Sequence, residues 1–372
     1  MKIAIFSELF FPYVQGGGER RFYEIAKRLA KKHEVHVYTM NLEGVVSEEI
    51  IEGIKIHRIG KSHPIDKRSN APMISYFYHA VRTGTKEKFD IIDCNTYISA
   101  IAGGIVAKRT NTPCLVHVHD VYSPNWHIFL NSRILGLAGE LLERIVLKMK
   151  FNKFIVVSSS TKKLVEPFGV KNIVVVTNGV DDHLFYPSDA ERQKKIIYVG
   201  RLVASKNVFD LLDAFRVVIN THPEYILEIV GNGELRPELE QIAEHLGIAD
   251  KVTFTGSVKL NSIVADKIRE SRMLVNPSIR EGFGLVMLEG MACGTPVVGY
   301  DLDAYKDFAD ENNSILAKDL KGLIEGIISL IENNEKWMKL SENGKITALK
   351  FSWDEITDKL EQVYIETIKE KK

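Results

Sequence analysis

Two glutamates stand on either side of a glycine-rich turn late in the chain, at a spacing that suits a ligand with hydroxyl groups near both ends. Glu281 precedes the turn, and Glu289 follows eight positions later, two turns inside a predicted helix. A helix that begins near Gly284, after Gly282, has N–H groups at its start that no helical carbonyl satisfies, and anions bind there. The pattern predicts a sugar, a diphosphate and a ribose bound in a row. A surface helix with two solvated glutamates would show the same residues, so other parts of the chain must decide.

Two cations in the same half of the chain could hold the diphosphate. Arg201 and Lys206 lie in the loop between a predicted strand, Lys195–Val199, and the helix that follows it. Arginine would grip a diphosphate through its planar fork, and lysine would act as a point charge. A surface pair near a linker is the alternative, but the glutamate motif at another strand end of this half favours the diphosphate role.

Three shorter patterns in the second half are weaker signals. The turns Gly231–Glu234 and Gly256–Val258 follow successive predicted strands, at the sheet edge that a nucleotide would occupy. Gly231 and Val258 are therefore candidate contacts. The triplet Asp301–Asp303 has the D-x-D form of a metal–diphosphate site. Because that pattern is common, we predict no metal site.

A histidine pair ends a buried strand in the first half. Side chains alternate along a strand, so His117 and His119 share one side. Parallel sheets bind ligands at the carboxyl ends of their strands, which favours His119 and Asp120 over His117. A sugar contact, a structural role and a metal pair all fit, although no third metal ligand has convincing spacing.

A glycine run, Gly16–Gly18, follows the first predicted strand. It lies nine residues after that strand, so it does not fit the G-x-G-x-x-G fingerprint of dinucleotide-binding folds. A loop that brings bare backbone close to a ligand, beside Glu19 and Arg20, remains open, and so does a purely flexible loop.

The length and the order of elements indicate two domains of one fold class. A chain of 372 residues, 45% of them apolar, exceeds the usual single-domain range and can bury substantial cores. Short apolar runs alternate with amphipathic helices in both halves, which predicts parallel sheets covered on both faces. The predicted elements include strands at Ile91–Cys94 and Ile226–Val230 and a helix at about Leu320–Glu332. The polar stretch 178–194 interrupts the alternation and is the predicted linker.

Charge and cysteine content say less about function. Residues 1–185 contain 25 Lys and Arg against 18 Asp and Glu, a surplus of seven positive charges that the remainder balances. An acidic or membrane-surface partner fits this surplus, and so does attraction between the two halves. Cys94, Cys114 and Cys293 lie in apolar runs, which predicts buried thiols in a reducing compartment.

A membrane could be contacted but not crossed, according to the sequence. The apolar run at the N-terminus is too short for a signal peptide, and no run approaches the ~20 residues that span a bilayer. Residues 133–153 mix apolar with basic side chains and could form an interfacial helix. The pattern favours an ordinary amphipathic core helix.

Taken together, the motifs resemble those of the retaining GT-B glycosyltransferases of family 4. The resemblance covers nearly the whole chain in the family's order, and the two glutamates are its most specific part. The matching segments are Gly16–Arg20, His119–Asp120, Asn178–Asp181, Gly200–Arg201 with Lys206, Gly231–Gly233, and Glu281 with Glu289, closed by Gly294–Val298. One departure is Gly299–Asp303, which stands where the family commonly has a Gly-Gly pair and an acidic residue.

The resemblance implies an α/β fold of two Rossmann-like doubly wound parallel-sheet domains facing a cleft. Residues 1–180 would form an acceptor-binding domain, to which a C-terminal helix, 352–372, crosses back. Residues 181–351 would bind the nucleotide-sugar donor.

The resemblance also implies a role for each motif. Arg201 and Lys206 would hold the diphosphate, Glu281 the donor sugar and Glu289 the ribose, while His119 would contact the sugar at the reacting centre. The implied catalytic set is His119, Arg201, Lys206 and Glu281. The implied donor-binding set is Gly17, Gly18, Gly231, Val258, Gly282, Phe283, Gly284, Leu285, Val286 and Glu289.

We therefore expect a retaining hexosyltransferase that needs no metal or other cofactor. Its donor would be a UDP-, GDP- or ADP-sugar, and its acceptor a hydroxyl of a saccharide, a lipid-linked sugar or a small molecule. We expect no nucleic-acid partner and a cytoplasmic location, with peripheral contact at the inner face of the membrane as an option. The alternatives are a nucleotide-sugar epimerase, which would act without acceptor, and a non-catalytic nucleotide-sugar-binding module.

Overall fold

The computed structural model describes residues 1–13, 16–64, 70–129, 132–188, 191–258 and 260–371. The chain forms two compact units, one of Met1–Asn178 with Trp353–Lys372 and one of Gly179–Ser352. The sequence placed these boundaries at 180/181 and 351/352. No described helix is both long enough and apolar enough to cross a bilayer.

Unit 1 is built on an eight-stranded sheet in the order β3-β4-β2-β1-β5-β6-β7-β8. Neighbouring strands are parallel except for β3 and β4. The strands are β1 Lys2–Phe6, β2 Glu34–Leu42, β3 Glu48–Ile51, β4 Ile54–His63, β5 Ile91–Cys94, β6 Cys114–Val118, β7 Lys153–Val156 and β8 Ile173–Val175. The helices are α1 Gly17–Leu29, α2 Asn70–Gly84, α3 Ile98–Thr110, α4 Trp126–Phe129, α5 Arg133–Lys148 and α6 Ser159–Val165, followed by a 3-10 turn at Glu166–Phe168.

Unit 2 is built on a six-stranded parallel sheet in the order β11-β10-β9-β12-β13-β14. The strands are β9 Gln193–Val199, β10 Ile226–Val230, β11 Val252–Gly256, β12 Ser271–Asn276, β13 Val297–Tyr300 and β14 Ile315–Ala317. The helices are α7 Val208–Thr221, α8 Arg236–His245, α9 Asn261–Glu270, α10 Leu285–Ala292, α11 Leu320–Glu332 and α12 Asn334–Leu349. Short 3-10 turns lie at Ala204–Lys206, Ala249–Lys251 and Asp303–Tyr305.

The last helix, α13 (Trp353–Lys371), returns to unit 1 and packs on α1. Arg28 Nε donates to Asp354 Oδ1 at 2.6 Å, and His33 Nε2 lies 2.7 Å from Glu361 Oε1. Helix α1 buries the face that its 3.6-residue period predicts, which includes Phe22. The chain therefore completes unit 1 only with its final segment.

Each sheet is buried between helices, as the apolar strand runs predict. The two cores consist of separate clusters of buried side chains, one in each unit. Cys94, Cys114 and Cys293 are free and buried, as predicted.

Candidate active site

Two loops of unit 2 meet at the carboxyl edge of its sheet. Strands β9 and β12 are parallel neighbours, so the loops after Val199 and after Asn276 leave the sheet side by side. Lys206 ends the 3-10 turn of the first loop, and Glu281 lies in the second. Lys206 Nζ donates to Glu281 Oε1 at 2.5 Å, so the structure brings together two predicted site residues that lie 75 positions apart.

Further hydrogen bonds hold Glu281 in place. Ser278 Oγ lies 2.9 Å and Asn276 Nδ2 3.4 Å from Glu281 Oε1. The Ile279 N–H donates to the Ser205 carbonyl at 3.1 Å and ties the two loops together. The side chains of Lys206 and Glu281 are 18% and 12% exposed. The two charged side chains are thus fixed in position at a site that a ligand can still reach.

Helix α10 starts at the glycine turn that follows this pair. Gly284 has φ 94° and ψ 50°, in the left-handed region that favours glycine. A Cβ there would lie 2.3 Å from Tyr305 Cε1. The N–H groups of Leu285 and Val286 belong to the first helical turn, where the helix itself supplies no acceptor. The turn therefore needs glycine, and it presents an anion-binding helix start beside Glu281 in the sequence.

Two other predicted donor contacts are buried in unit 2. Glu289 lies one helical turn into α10, closer to its start than the two turns that the sequence suggested, and its side chain is buried. The Phe283 ring packs against the Phe308 and Phe351 rings, with centroids 5.0 and 6.3 Å apart. Phe283 therefore offers a ligand its backbone and not its ring.

Glycine at position 231 is explained by packing between turns. Gly231 has φ 143°, and a Cβ on it would lie 1.8 Å from the Gly200 carbonyl oxygen. Its N–H donates to the Gly256 carbonyl at 2.9 Å. The turns after β9, β10 and β11 thus touch backbone to backbone, and Val258 lies just beyond, partly buried. This close approach requires glycine whether or not a nucleotide binds.

The remaining polar candidates of unit 2 lie nearer to solvent. Arg201 is exposed on the same loop as Lys206, and its carbonyl accepts a hydrogen bond from Tyr198 Oη at 2.9 Å. Asp301, of the D-x-D triplet, forms an ion pair with Lys306. Among the described residues, no group of three or more His, Cys, Asp and Glu side chains could hold a metal ion.

In unit 1, His119 belongs to a chain of hydrogen bonds across three strand ends. Its Nε2 lies 3.1 Å from Asn95 Oδ1, and Asn95 Nδ2 donates to Ser7 Oγ at 3.1 Å. The Thr96 N–H also donates to Asn95 Oδ1, at 2.9 Å, which identifies that atom as the oxygen. His119 therefore carries its proton on Nε2, and its Nδ1 is an acceptor. Sequence reasoning missed Asn95, although its position directly after β5 was a usable signal.

The His119 ring is kept neutral by its surroundings. Burial lowers the pKa of His119 well below its usual range, and the nearby His117 and Arg21 lower it further. The first turn of α1 packs on this ring, since a Cβ at Gly18 would lie 3.2 Å from His119 Nε2. Gly17 and Gly18, predicted to approach a ligand, are thus in the helix that covers His119.

His117 serves the interior of unit 1. Its Nε2 lies 3.0 Å from Asp93 Oδ2, and Arg21 Nε donates to its Nδ1 at 3.1 Å. Tyr364 of α13 donates a further hydrogen bond to Asp93. Burial lowers the pKa of His117 despite the neighbouring Asp93 carboxylate. Of the histidine pair, His119 faces the strand ends and His117 belongs to a buried network.

Sequence comparison identifies the family to which this arrangement belongs. Residues 15–184 match the model of Glycosyltransferase Family 4, and residues 182–347 match that of Glycosyl transferases group 1. The chain belongs to the family 4 glycosyltransferases. The two matches join where unit 1 passes into unit 2.

Curated relatives of this glycosyltransferase align along nearly the full chain. An uncharacterized glycosyltransferase of Methanocaldococcus jannaschii is 26% identical and is covered, like this chain, over 98% of its length. A D-inositol 3-phosphate glycosyltransferase of Thermomonospora curvata is 25% identical over 94% of this chain and 90% of its own.

Solved structures show that the glycosyltransferase has the GT-B fold. Sucrose-phosphate synthase from Thermosynechococcus elongatus matches with a TM-score of 0.85 at 20% identity, over 98% of each chain. Anabaena HepE, solved with UDP and glucose, matches with a TM-score of 0.79 at 19% identity, over 98% of this chain and 100% of its own. The predicted pair of parallel-sheet α/β domains is confirmed.

Proposed function

We propose that this glycosyltransferase moves a hexosyl unit from a nucleotide-diphosphate sugar to a hydroxyl of a saccharide, lipid-linked or small-molecule acceptor. In this proposal the anomeric configuration is retained and no metal ion takes part. The observation that supports it most is the contact between Lys206 and Glu281, next in sequence to the glycine turn that opens α10. A cation, a carboxylate and a helix start together suit a ligand that carries both phosphate and hydroxyl groups.

Each group would bind one part of the donor. Lys206 and Arg201 would hold the diphosphate, and the N–H groups of Leu285 and Val286 would hold its distal phosphate. Glu281 would accept hydrogen bonds from sugar hydroxyls. Glu289, deeper in α10, would accept them from the ribose.

The same groups would lower the barrier of the transfer. Breaking the anomeric C–O bond leaves negative charge on the diphosphate and positive charge on the sugar. Lys206, Arg201 and the start of α10 would stabilise the departing diphosphate electrostatically, in the role that a metal ion has in other transferases. The acceptor oxygen would attack from the face that the diphosphate leaves, and the leaving phosphate would take the acceptor proton.

His119 would help to orient the sugar in this reaction. With its proton on Nε2 and directed to Asn95, its Nδ1 is the nitrogen that can accept a hydrogen bond from a hydroxyl. The depressed pKa of His119 keeps that nitrogen unprotonated at neutral pH.

The donor can be identified by thermal stabilisation. A ligand that binds only the folded protein raises Tm by mass action, so UDP-, GDP- and ADP-glucose would be compared at equal concentration. UDP-glucose is the first choice, because Anabaena HepE was solved with it. No shift with any nucleotide sugar would contradict the proposed donor class.

The reaction itself can be followed with the donor so identified. We expect release of the nucleotide diphosphate to depend on a saccharide acceptor, and NMR of the product to show the anomeric configuration of the donor. Isomerisation of the donor without acceptor would indicate an epimerase instead. Loss of activity in EDTA that Mg²⁺ or Mn²⁺ restores would overturn the metal-free account and direct attention to Asp301 and Asp303.

A further inference from the structure

Helix α5 turns a line of large apolar side chains to solvent. Ile134, Leu137, Leu141 and Ile145 are 81%, 69%, 62% and 43% exposed. Their spacing of three and four residues places them in one line along the helix. We call these four residues the α5 stripe. The sequence favoured an ordinary amphipathic core helix here, and the structure agrees in part, because Val146 and Leu147 join the core of unit 1 while the α5 stripe faces solvent.

The opposite face of α5 fixes the orientation of the stripe. The Glu143 carboxylate is buried and accepts hydrogen bonds from the Tyr122 and Ser123 N–H groups at 2.9 and 2.8 Å. A Cβ at Gly136 would lie 2.5 Å from His127 Cα, so α4 and α5 are in close contact. Rotating α5 to bury the stripe would break these contacts. The exposure of the stripe is therefore built into the fold.

Basic side chains accompany the stripe. Arg133, Arg144 and Lys148 lie along the same helix, and all are exposed. Arg144 pairs with Glu140 at 2.6 Å. Residues 1–185, which contain α5, have the surplus of seven positive charges. An apolar line flanked by cations is complementary to an anionic lipid surface, whose acyl region lies beneath its phosphates.

We propose that the α5 stripe docks on the surface of an anionic lipid bilayer. The four apolar side chains would enter the boundary between headgroups and acyl chains, and Arg133, Arg144 and Lys148 would lie at the level of the phosphates. The helix has 16 residues and would rest in the plane of the membrane without crossing it.

A second copy of the chain fits this face less well than a bilayer does. A two-fold interface places the same patch on both sides, and an antiparallel pairing of the stripe would place the basic side chains Arg133, Arg144 and Lys148 of both copies on the same side of the interface. Like charges opposed at an interface are unfavourable. An anionic membrane supplies the opposite charge.

Vesicle sedimentation tests the proposal without any sugar donor, so its result does not depend on the proposed function. The full chain would be mixed with vesicles of phosphatidylcholine alone or with added phosphatidylglycerol. We expect sedimentation with the anionic vesicles that weakens as salt is raised. Leu137→Glu with Leu141→Glu should lower the partition coefficient by at least about tenfold, because two apolar anchors become charged.

The matched control is Met338→Glu with Ile346→Glu, which places two charges at apolar positions of α12 that are 55% and 49% exposed. It should bind anionic vesicles like the wild type. A second variant, Arg133→Gln with Arg144→Gln and Lys148→Gln, leaves the stripe intact and should lose most of the preference for anionic over neutral vesicles.

Three results would overturn the proposal. One is a wild-type protein that stays in the supernatant with anionic vesicles. The second is a pair of results. The charge-neutralised variant keeps its full preference for anionic over neutral vesicles, and the stripe variant binds anionic vesicles as tightly as the wild type. The third is a dimer in solution that the stripe variant dissociates, because the occupant would then be a second copy.

Discussion

Lys206 and Glu281 are mostly shielded from water and neutralise each other at 2.5 Å. Removing one partner of such a shielded ion pair is destabilising, because the remaining ion keeps its desolvation penalty and loses its partner. The proposed diphosphate would take over Lys206, and the donor sugar would take over Glu281. Each residue of the pair can therefore be tested by its own kinetic signature.

Lys206→Ala should lower kcat/KM at least tenfold, which corresponds to ~1.4 kcal/mol of transition-state stabilisation. The reason is that the charge on the departing diphosphate loses one of its two proposed cations. Steady-state kinetics with the identified donor measures the effect. Lys306→Ala is the control, since it also removes a lysine paired with a carboxylate of unit 2. Wild-type turnover in Lys206→Ala would remove this residue from the mechanism.

Glu289→Gln should weaken binding of the free nucleotide diphosphate by about tenfold or more, because hydrogen bonds to a charged group contribute ~1.5–3 kcal/mol. Glutamine keeps the volume of this buried side chain. Calorimetric titration gives the Kd. Glu281→Gln serves as the comparison, because it should lower kcat/KM and should not weaken binding of the free nucleotide. An unchanged Kd in Glu289→Gln would argue against a ribose contact.

Asn95→Asp tests whether His119 acts as a neutral acceptor. A carboxylate opposite Nε2 stabilises the imidazolium, so the pKa of His119 should rise from its depressed value. The neutral form would then be lost at a higher pH as the solution is acidified. The acidic limb of kcat/KM, measured between about pH 5 and 8, should move to higher pH.

Two further variants complete that experiment. Asn95→Ala should lower activity when His119 is present and should cause little additional loss in a His119→Ala background, because Asn95 acts through His119. An Asn95→Asp profile that coincides with the wild-type profile would contradict the assigned protonation of His119.

The start of helix α10 depends on the backbone conformation of Gly284. Gly284→Ala combines a positive φ, which costs ~1–2 kcal/mol in an L-residue, with a Cβ 2.3 Å from the buried Tyr305 ring. We expect lower Tm and weaker nucleotide binding. Gly247→Ala separates the two causes, since Gly247 has φ 69° and its Cβ would meet no described atom within 4 Å. Equal losses of Tm in both variants would show that the ring contact is unimportant.

Elements with buried apolar runs between turn signals could be predicted closely from the sequence. The strands Ile91–Cys94 and Ile226–Val230 and the helix Leu320–Glu332 lie where the pattern predicts them. Strand β3 was missed because its alternate side chains are exposed and it pairs only at the sheet edge. Its two-residue turn at Glu52 and Gly53, both with positive φ, has a weaker sequence signal than Asn-Gly.

Part of the candidate site could be predicted from the order of the strands. Lys206 and Glu281 follow strands, and the carboxyl ends of parallel strands share an edge, so their approach follows from topology. Asn95 and Ser278 were missed because a single polar residue after a strand is common, and only the folded neighbours give it a role. The sequence left a core helix and an interfacial helix open for α5, because amphipathic spacing does not say which side the protein covers.

Unit 1 is closed by a helix that the chain reaches only after completing unit 2. Helix α13 buries Trp353 and Tyr364, and Tyr364 donates to Asp93 within the sheet. Asp93 also pairs with His117 of β6. The last helix is therefore hydrogen-bonded to the buried network of the strand that leads to His119. The stability of unit 1 therefore depends on the end of the chain.

Tyr364→Phe should reduce the free energy of unfolding of unit 1 by ~1–3 kcal/mol, because Asp93 loses a hydrogen bond in a buried place. Urea denaturation measures this loss. Nucleotide binding should be unchanged in calorimetric titration, since the groups proposed to bind the diphosphate and the ribose lie in unit 2. Tyr186→Phe, at a side chain that is 49% exposed, is the control. Full stability in Tyr364→Phe would show that Asp93 does not need this donor.

The pairing of Lys206 with Glu281 before any ligand binds would also affect turnover. An intact donor brings sugar hydroxyls to Glu281 as its diphosphate takes Lys206, whereas a spent nucleotide takes Lys206 and leaves the carboxylate unmatched. After each transfer the ammonium is drawn back to Glu281 as the nucleotide departs. Under the proposed function, this competition favours binding of the intact donor over rebinding of the spent nucleotide. It therefore limits product inhibition, which Glu281→Gln would make more severe.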